Sequence, residues 1–389
     1  MSFLNKKIIV LFAIELFIFV NQLYHMKTRI LLIASLFISV FGISNQASAQ
    51  KSKTKTPKRV VFLIGDGMGL AQISGAMSGY QGQNAFERFT YIGLSKTKSA
   101  DNYITDSGAG ATVFSIGKKA KNGAIGVDSA GKASEGLFEK LKKSNWGTGV
   151  VATSSITHAT PASFYAHVPS RKMEEQIATF LLKGNCDLAI GGGQKFFDKR
   201  TLDARNVFEE LKLLGFTIKT DSVFEPIDAK KLVYTLAQNG MKTMEEGRGD
   251  YLLQATKLAQ TNLLKYYGNY FLMVEGSQID WGGHDNNYEY MKAELLDFNS
   301  VLNQVLDAAI KDGETLVIVT ADHETGGLSL LENKENPSTF TPNYASKGHS
   351  GIMVPVFAFG PGAENFTGIY ENTEIYAKLI KLLNLNGND

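Results

Sequence analysis

Six unbroken apolar runs constrain the fold of this chain, because each closes on a glycine or a polar residue. They are Val60–Ile64, Gly149–Ala152, Leu188–Ile190, Tyr270–Val274, Leu316–Val319 and Val354–Phe359. Such runs are typical of strands that are buried on both faces of a parallel sheet. Helical patterns separate them, at 137–143, 172–182, 207–214, 251–267 and 288–311. This alternation predicts an α/β fold with a mostly parallel central sheet.

Side chains that commonly bind metals lie just beyond several of these runs. They are Asp66, Glu275, Asp280, His284, Asp322, His323 and His349. Ligands in open α/β sheets bind beyond the carboxyl ends of the strands, so we expect these side chains to share one site. Asp280 and His284 are four residues apart and would share one face of a helical turn. Imidazole with carboxylate suits zinc, and carboxylate with hydroxyl suits magnesium.

A serine opens a run of very small residues between the first two of these strands. Ser107 follows Asp106 and precedes Gly108–Ala111, after which Val113 and Phe114 continue at helical spacing. The pattern predicts a buried helix with Ser107 at its N-terminus, where free N–H groups and the helix dipole favour phosphate. The simpler interpretation is a helix cap that opens a tightly packed helix.

The N-terminal 49 residues have the pattern of a targeting region. Residues 26–49 combine Lys27 and Arg29 with an apolar run at 30–43 and the sequence Ala47-Ser48-Ala49. This order predicts a signal peptide that is cleaved near Ala49–Gln50, and a periplasmic or extracellular protein. We interpret residues 1–25 as an extension from a start codon assigned too early, with an N-terminal anchor as the alternative. Residues 50–389 are predicted to form a single domain with a peripheral insertion at about 194–248.

Charge and cysteine content bear on the partners of this chain and on how it is stabilised. Residues 1–49 carry a net charge of +3 and the whole chain +2, so the remainder is near −1. This balance favours neither nucleic acid nor a stable membrane partner, and we expect neither. Because Cys186 is the only cysteine, an internal disulfide is impossible, and stability must come from the core and from any bound metals.

Six motifs, in order along residues 58–370, resemble those of the alkaline phosphatase family, particularly its compact bacterial members. They are Gly65–Gly69, Thr105–Ser107, Thr160–Ala162 with Ser170–Arg171, Glu275–Asp280 with His284, Thr320–His323 and His349–Gly351. The resemblance implies a three-layer sandwich with helices on both sides of the sheet. It also implies that residues 50–389 are a catalytic domain and that the protein is a homodimer.

The resemblance assigns a role to each matching residue, with two zinc ions and one magnesium ion as cofactors. It implies one zinc at Asp280, His284 and His349, a second at Asp66, Asp322 and His323, and magnesium at Asp66, Thr160 and Glu275. Ser107 would be the nucleophile, and Arg171 would bind the phosphate group with its guanidinium fork. His158 and Trp281 would lie beside the metals and tune their affinity.

The function implied is hydrolysis of phosphate monoesters to an alcohol and inorganic phosphate through a phosphoserine at Ser107. A phosphodiesterase or sulfatase of the same superfamily is one alternative. Sulfatases need a Cys or Ser in a C/S-x-P-x-R setting that Ser107 lacks, and diesterases commonly use threonine and lack the Arg171 motif. A non-enzymatic alternative is an exported phosphate- or metal-binding protein, which would not require Ser107.

Overall fold

The strands of the computed structural model follow the apolar runs. The structure describes residues 11–27, 56–221 and 224–385. The strands are β1 (Arg59–Gly65), β2 (Tyr91–Lys96), β3 (Gly147–Ser155), β4 (Leu188–Gly192), β5 (Thr217–Lys219), β6 (Leu232–Thr235), β7 (Tyr270–Gly276), β8 (Thr315–Thr320), β9 (Glu324–Thr325), β10 (Leu328–Glu332), β11 (Phe340–Tyr344), β12 (His349–Ser350), β13 (Val354–Phe359) and β14 (Gly368–Glu371). All six runs become strands.

Ten of these strands form one sheet in the order β14-β2-β13-β8-β1-β7-β3-β4-β6-β5. The six strands from the apolar runs occupy its middle, where both faces are covered. Only β13 is antiparallel to its neighbours, β2 and β8, so the predicted mostly parallel sheet is confirmed. Because β13 is reversed, its amino end lies at the same edge as the carboxyl end of β8. This brings His349, which precedes its strand, to the edge where the other predicted ligands follow theirs.

Helices of the unit that begins at residue 55 cover both faces of the sheet. They are α2 (Leu70–Met77), α3 (Ser107–Ile116), α4 (Leu137–Lys143), α5 (Ala159–Ala162), α6 (Glu174–Thr179), α7 (Lys195–Asp198), α8 (Val207–Leu213), α9 (Tyr251–Tyr267), α10 (Gln278–His284), α11 (Tyr288–Asp312) and α12 (Thr373–Leu382). One further helix, α1 (residues 11–27), precedes this unit in the chain. Short 3₁₀ turns lie at Ala85–Arg88, Phe180–Lys183 and Ala363–Phe366. The pattern at 172–182 therefore forms a shorter helix, α6, continued by a 3₁₀ turn that ends at Gly184 in the left-handed conformation.

Alternate residues of β1 show how the layers are built. Phe62 and Ile64 pack in a cluster with α3, α4 and α12, whereas Val61 and Leu63 pack in another with α2, α9 and α11. Successive side chains of a strand point to opposite faces, so one strand supports two cores. The result is a sheet between two layers of helices, as the family resemblance implied.

The segment at 194–248, predicted as a peripheral insertion, contributes α7, α8, β5 and β6. Strands β6 and β5 extend the main sheet beyond β4. The described chain from residue 56 onward belongs to one compact unit.

The N-terminal region is a separate unit. Its helix α1 has every described residue exposed. The predicted signal peptide at 26–49 lies outside the described residues except for positions 26 and 27. Among the described residues, no helix combines the length and the apolar character that crossing a membrane requires.

Candidate active site

All of the ligands predicted at strand ends meet at the carboxyl edge of the sheet. Asp66 follows β1, Glu275 lies at the end of β7, and Asp322 and His323 follow β8. These four side chains are completely or almost completely buried, with at most 1% of their surface exposed. Burying acidic groups so close together is costly unless something positive offsets their charge.

One group of possible metal ligands lies around Asp280. Its Oδ1 lies 3.4 Å from Nε2 of His284 and 3.6 Å from Nε2 of His349. The two imidazole Nε2 atoms are 3.1 Å apart. Ligand atoms of Asp280, His323 and His349 also lie within 4.8 Å of one another. The three residues predicted to share a zinc therefore lie together, and His323 is close enough to join them.

A second group lies around His323. Its Nε2 is 3.4 Å from Asp66 Oδ1, 3.3 Å from Asp322 Oδ2 and 3.2 Å from the hydroxyl oxygen of Ser107. The structure thus brings the predicted nucleophile to the three residues predicted for the second zinc. The rings of His323 and His349 stack with centroids 3.5 Å apart, so the two groups adjoin.

A third group contains Asp66, Glu275 and His158, whose ligand atoms lie within 4.8 Å of one another. Thr160, predicted here with the two carboxylates, is buried on the short helix α5, which starts just after His158. Glu275 Oε2 accepts a hydrogen bond of 3.1 Å from the hydroxyl of Ser154. Carboxylate and hydroxyl oxygens are hard ligands, which suits magnesium more than zinc.

Each histidine of the first two groups uses its Nδ1 elsewhere. Nδ1 of His349 lies 2.8 Å from the carbonyl of Thr105, and Nδ1 of His284 contacts the carbonyl of Lys347. Since carbonyls only accept, both Nδ1 atoms donate, so the Nε2 atoms face Asp280 and are the positions that bind a cation or, in its place, a proton. Two lone pairs 3.1 Å apart repel each other unless a cation or a proton lies between them. Backbone partners of this kind are typical of metal-binding histidines.

Thr325 orients His323 in the same way, and sequence reasoning did not identify it. Its hydroxyl contacts Asp280 Oδ1 and lies 3.2 Å from Nδ1 of His323. A carboxylate can only accept, so the single hydroxyl proton goes to Asp280, and the Thr325 oxygen accepts from Nδ1–H. Nε2 of His323 is then free to accept. No local pattern marks Thr325, because Asp280, the partner that receives its proton, lies 45 residues away in the chain.

Several buried oxygens of the site have no hydrogen-bond partner among the described residues. They are both carboxylate oxygens of Asp66, Oδ2 of Asp322, Oε1 of Glu275 and the hydroxyl of Thr160. Buried polar atoms are nearly always paired, so this set fits bound cations.

The pKa shifts in this cluster report the same excess of negative charge. Burial and the neighbouring carboxylates of Asp322 and Asp280 raise the pKa of Asp66 well above its ordinary value. Burial, with Asp280 and Glu275, raises the pKa of Asp322 to about 7. A hydrogen bond to Asp280 raises the pKa of His284 to about 9. Protons are therefore attracted to the positions that cations would fill.

Ser107 is the first residue of α3, as the sequence predicted. Asp106 caps the helix, and its Oδ1 accepts from the backbone N–H groups of Ala109 and Gly123, both at 2.9 Å. Gly110 lies so close to Asp322 that a Cβ there would be 3.0 Å from the Asp322 Cβ. The small residues of α3 therefore allow the helix to approach the candidate metal ligands.

Arg171 is held beside this helix terminus by two partners. One guanidinium nitrogen donates to Asp106 Oδ2 at 3.1 Å, and the other lies 3.1 Å from Nε2 of His158. Burial and the Arg171 charge lower the pKa of His158 to about 3, so its imidazole is neutral and accepts. The Trp281 ring meets His158 edge-on, at 6.2 Å between centroids. Asp106 was not predicted as a partner of Arg171, although it adjoins the predicted nucleophile.

Comparison with known proteins gives a consistent result. The sequence profile of the alkaline phosphatase family matches residues 57–341. Alkaline phosphatase 4 of Bacillus subtilis is 32% identical, over 92% of this chain and 82% of that protein. The structure of alkaline phosphatase from the Antarctic bacterium TAB5 is similar with a TM-score of 0.83 and 46% identity, over 85% of this chain and 100% of that chain.

A variant of the TAB5 enzyme, in which a histidine is replaced by aspartate, has been solved with Mg bound in the M3 site. It is 45% identical with a TM-score of 0.83, over 86% of this chain and 100% of that chain. The family match spans most of the chain. We conclude that this chain belongs to the alkaline phosphatase family and is a phosphatase.

Proposed function

We propose that this phosphatase hydrolyses phosphate monoesters through a phosphoserine at Ser107, with two zinc ions and one magnesium ion as cofactors. The observation that carries the proposal is the position of the Ser107 hydroxyl, 3.2 Å from Nε2 of His323 among buried carboxylates that lack partners. A nucleophile of ordinary pKa needs activation, and this hydroxyl lies where cations fit.

The metal assignment follows the three groups of ligands. Asp280, His284 and His349 would hold one zinc, and Asp66, Asp322 and His323 the other. Asp66, Thr160 and Glu275 would hold magnesium, and the magnesium bound in the M3 site of the TAB5 variant supports use of that ion. When bound, such ions act as Lewis acids that lower the pKa of an oxygen they contact and offset phosphoryl charge.

Ser107 would act in two displacements. Its Oγ forms a bond to phosphorus while the bond from phosphorus to the ester oxygen breaks, and the alcohol leaves with a proton. Water then attacks the phosphoserine, releasing inorganic phosphate and returning a proton to Oγ. The position of Ser107 at the N-terminus of α3 favours the negative charge that develops on the phosphoryl oxygens.

Arg171 would hold the phosphate group during both displacements. Two of its N–H groups are occupied by Asp106 and His158. A guanidinium has five N–H donors, so three remain for phosphate oxygens. Because Asp106 directly precedes Ser107, its hydrogen bond to Arg171 holds the guanidinium group at a fixed position relative to the Ser107 hydroxyl.

His158 and Trp281 would tune the site without contacting the reacting atoms. His158 stays neutral and lies within reach of both Asp66 and Glu275. Trp281 packs against it from α10, the helix that also carries Asp280 and His284. Changes at either residue would alter metal affinity and the release of product.

We further propose that the protein is exported, on the strength of the signal-peptide pattern at 26–49, and that it works as a homodimer, as the family resemblance implies. Its substrates would be phosphate monoesters of varied alcohols. Recognition centred on the phosphate group leaves the alcohol half unspecified, and inorganic phosphate would bind the same site as product.

The test is hydrolysis of p-nitrophenyl phosphate by residues 50–389, from neutral to alkaline pH. We expect activity with zinc and magnesium, loss with EDTA, and loss in Ser107→Ala. Activity on bis-p-nitrophenyl phosphate alone would support a phosphodiesterase. Tight binding of zinc or phosphate without hydrolysis of either ester would support a binding protein.

A further inference from the structure

Glu324 is a fully buried carboxylate that lies next to His323 but in none of the three ligand groups. Each of its oxygens accepts two hydrogen bonds. Oε1 accepts from Gln72 Nε2 at 2.7 Å and from the Leu328 N–H at 3.0 Å. Oε2 accepts from the Gly327 N–H at 3.1 Å and from the Ser350 hydroxyl.

All four donors are uncharged. In the described part of the chain, no lysine, arginine or histidine forms an ion pair with Glu324. A buried carboxylate without a cationic partner is costly unless its oxygens are fully paired, and those of Glu324 are.

The donors belong to three segments that each carry a predicted metal ligand. Gln72 also accepts from the N–H of Gly69, in the turn that follows Asp66, at 3.1 Å. Ser350 directly follows His349, and it pairs with Glu324 where β12 meets β9. Glu324 itself follows His323. One carboxylate therefore links the segments of Asp66, His323 and His349.

Packing around the carboxylate leaves it little freedom. A Cβ at Gly69 would lie 2.5 Å from Cγ of Glu324 and 2.8 Å from Oε1 of Gln72. Glycine is required there because the Glu324 stem fills the space. The link is therefore rigid as well as fully hydrogen-bonded.

We propose that Glu324 is a positioning residue that holds His323 and His349 in register for bound zinc and slows its release. The inference rests on the proposed function only in requiring that the site binds zinc. Partners that orient metal ligands typically change metal affinity about 10–100-fold when removed.

The replacement Glu324→Gln tests the proposal with almost no change of shape. A glutamine would place an NH₂ group against two donors, so two hydrogen bonds are lost and one segment must shift. The matched control is Glu332→Gln, which makes the same chemical change at the exposed end of β10 in the neighbouring hairpin.

The measurement is the rate at which zinc-loaded protein releases zinc to excess EDTA, together with zinc content by mass spectrometry. We expect Glu324→Gln to release zinc at least about tenfold faster than the wild type. Glu332→Gln should match the wild type. Equal release rates for the two glutamine variants, both folded, would overturn the proposal.

Should Glu324→Gln fail to fold, Ser350→Ala removes one donor and leaves the carboxylate paired three times. It should release zinc faster at temperatures where the metal-free variant is fully folded, whereas a purely structural role would lower only the melting temperature and leave that release rate unchanged. An unchanged release rate in Ser350→Ala would then overturn the proposal. A wild type that binds no zinc would instead overturn the proposed function.

Discussion

Two buried aspartates lie at opposite ends of the parallel strands, Asp187 at the amino ends and Asp66 at the carboxyl ends, and their surroundings differ. Asp187, just before β4, is 1% exposed, and its carboxylate contacts Nζ of Lys142 at 2.7 and 2.8 Å. It also accepts from the hydroxyl of Tyr267 at 2.7 Å and from the N–H of Thr148 at 2.9 Å. Asp66, just after β1, is fully buried, and neither of its oxygens has a hydrogen-bond partner among the described residues.

This difference in hydrogen-bond partners distinguishes a carboxylate that stabilises the fold from one that serves the candidate active site. At the amino edge, cation and hydrogen bonds together satisfy the buried charge, so the carboxylate stabilises the fold. At the carboxyl ends of the strands, the Asp66 oxygens accept no hydrogen bond from the described residues, and burying a carboxylate in this way is costly unless a cation offsets its charge. Functional sites are where such local rules are expected to be broken.

The largest effect is expected at the nucleophile. Ser107→Ala should lower kcat by at least about 10³-fold, because the covalent route is lost. Zinc content, measured by mass spectrometry, should be unchanged. Ser129→Ala, an exposed serine in a turn, is the control and should keep full activity. A Ser107→Ala enzyme that stays active would show that the carboxyl edge does its chemistry without this residue.

The two aspartates themselves give the next prediction. Asp187→Asn should lower the free energy of unfolding by about 2 kcal/mol, because a buried hydrogen-bonded charge pair is broken, and kcat should not change. Asp66→Asn should abolish activity without lowering the stability of the metal-free protein, since it removes an uncompensated charge.

Urea unfolding of both metal-free variants, with kcat measured on the zinc-loaded forms, checks this pair. If Asp66→Asn proved as destabilising as Asp187→Asn, the contrast between the two edges would be wrong.

Glu174 tests the comparison, because it is a carboxylate with hydrogen-bond partners that nevertheless lies at the carboxyl ends of the strands. Glu174 Oε2 accepts from the hydroxyls of Ser155 and Thr157, at 2.8 and 2.7 Å, and joins the end of β3 to the helix after Arg171. We expect Glu174→Ala to raise KM for the substrate by up to about 30-fold, since it removes two hydrogen bonds that each contribute about 1 kcal/mol to positioning. Glu174→Gln keeps one oxygen that can accept both bonds and should retain the wild-type KM.

Steady-state kinetics on both Glu174 variants separates the effects. A raised KM with the same kcat indicates a misplaced phosphate clamp. Equal loss in the alanine and glutamine variants would instead show that the charge of Glu174 matters.

The smallest effect concerns a histidine outside the site. Nδ1 of His167 lies 2.6 Å from the carbonyl of Gly126, and Nε2 lies 3.3 Å from Glu139. Burial lowers the pKa of His167, but the bonds to Glu139 and Gly126 outweigh it, and the net shift is upward. A raised pKa means that the folded state binds the proton more tightly, so this stabilisation is complete below the unfolded pKa and is lost as pH rises through the folded pKa.

His167→Gln should therefore reduce stability more at about pH 6 than at about pH 9, by less than about 1 kcal/mol after solvent screening. Urea unfolding at the two pH values checks this. If the difference in the free energy of unfolding between wild type and variant grew with pH, protonated His167 would not stabilise the fold through its contact with Glu139.

The sequence predicted the middle of the sheet because those strands are buried on both faces and are therefore uniformly apolar. Strand β2, which lies between β14 and β13, was missed, since its residues mix buried with exposed positions and form no unbroken apolar run. The predicted ligands lie together because strand ends converge, and the reversed strand β13 explains why His349 joins them.

The supporting contacts could not be predicted. Gln72 and Glu324 are 252 residues apart in the chain, and nothing near either one marks the contact. Thr325 likewise depends on Asp280, which lies 45 residues away. Such contacts depend on the packed structure, whereas the ligands themselves follow from strand ends and motifs.

The most direct test of the central claim is the stereochemical course at phosphorus, measured with a phosphate monoester made chiral by oxygen isotopes. A phosphoserine at Ser107 requires two in-line displacements, so our account predicts retention of configuration. Inversion would mean that water attacks the substrate directly, and it would contradict the assignment of Ser107 as the nucleophile.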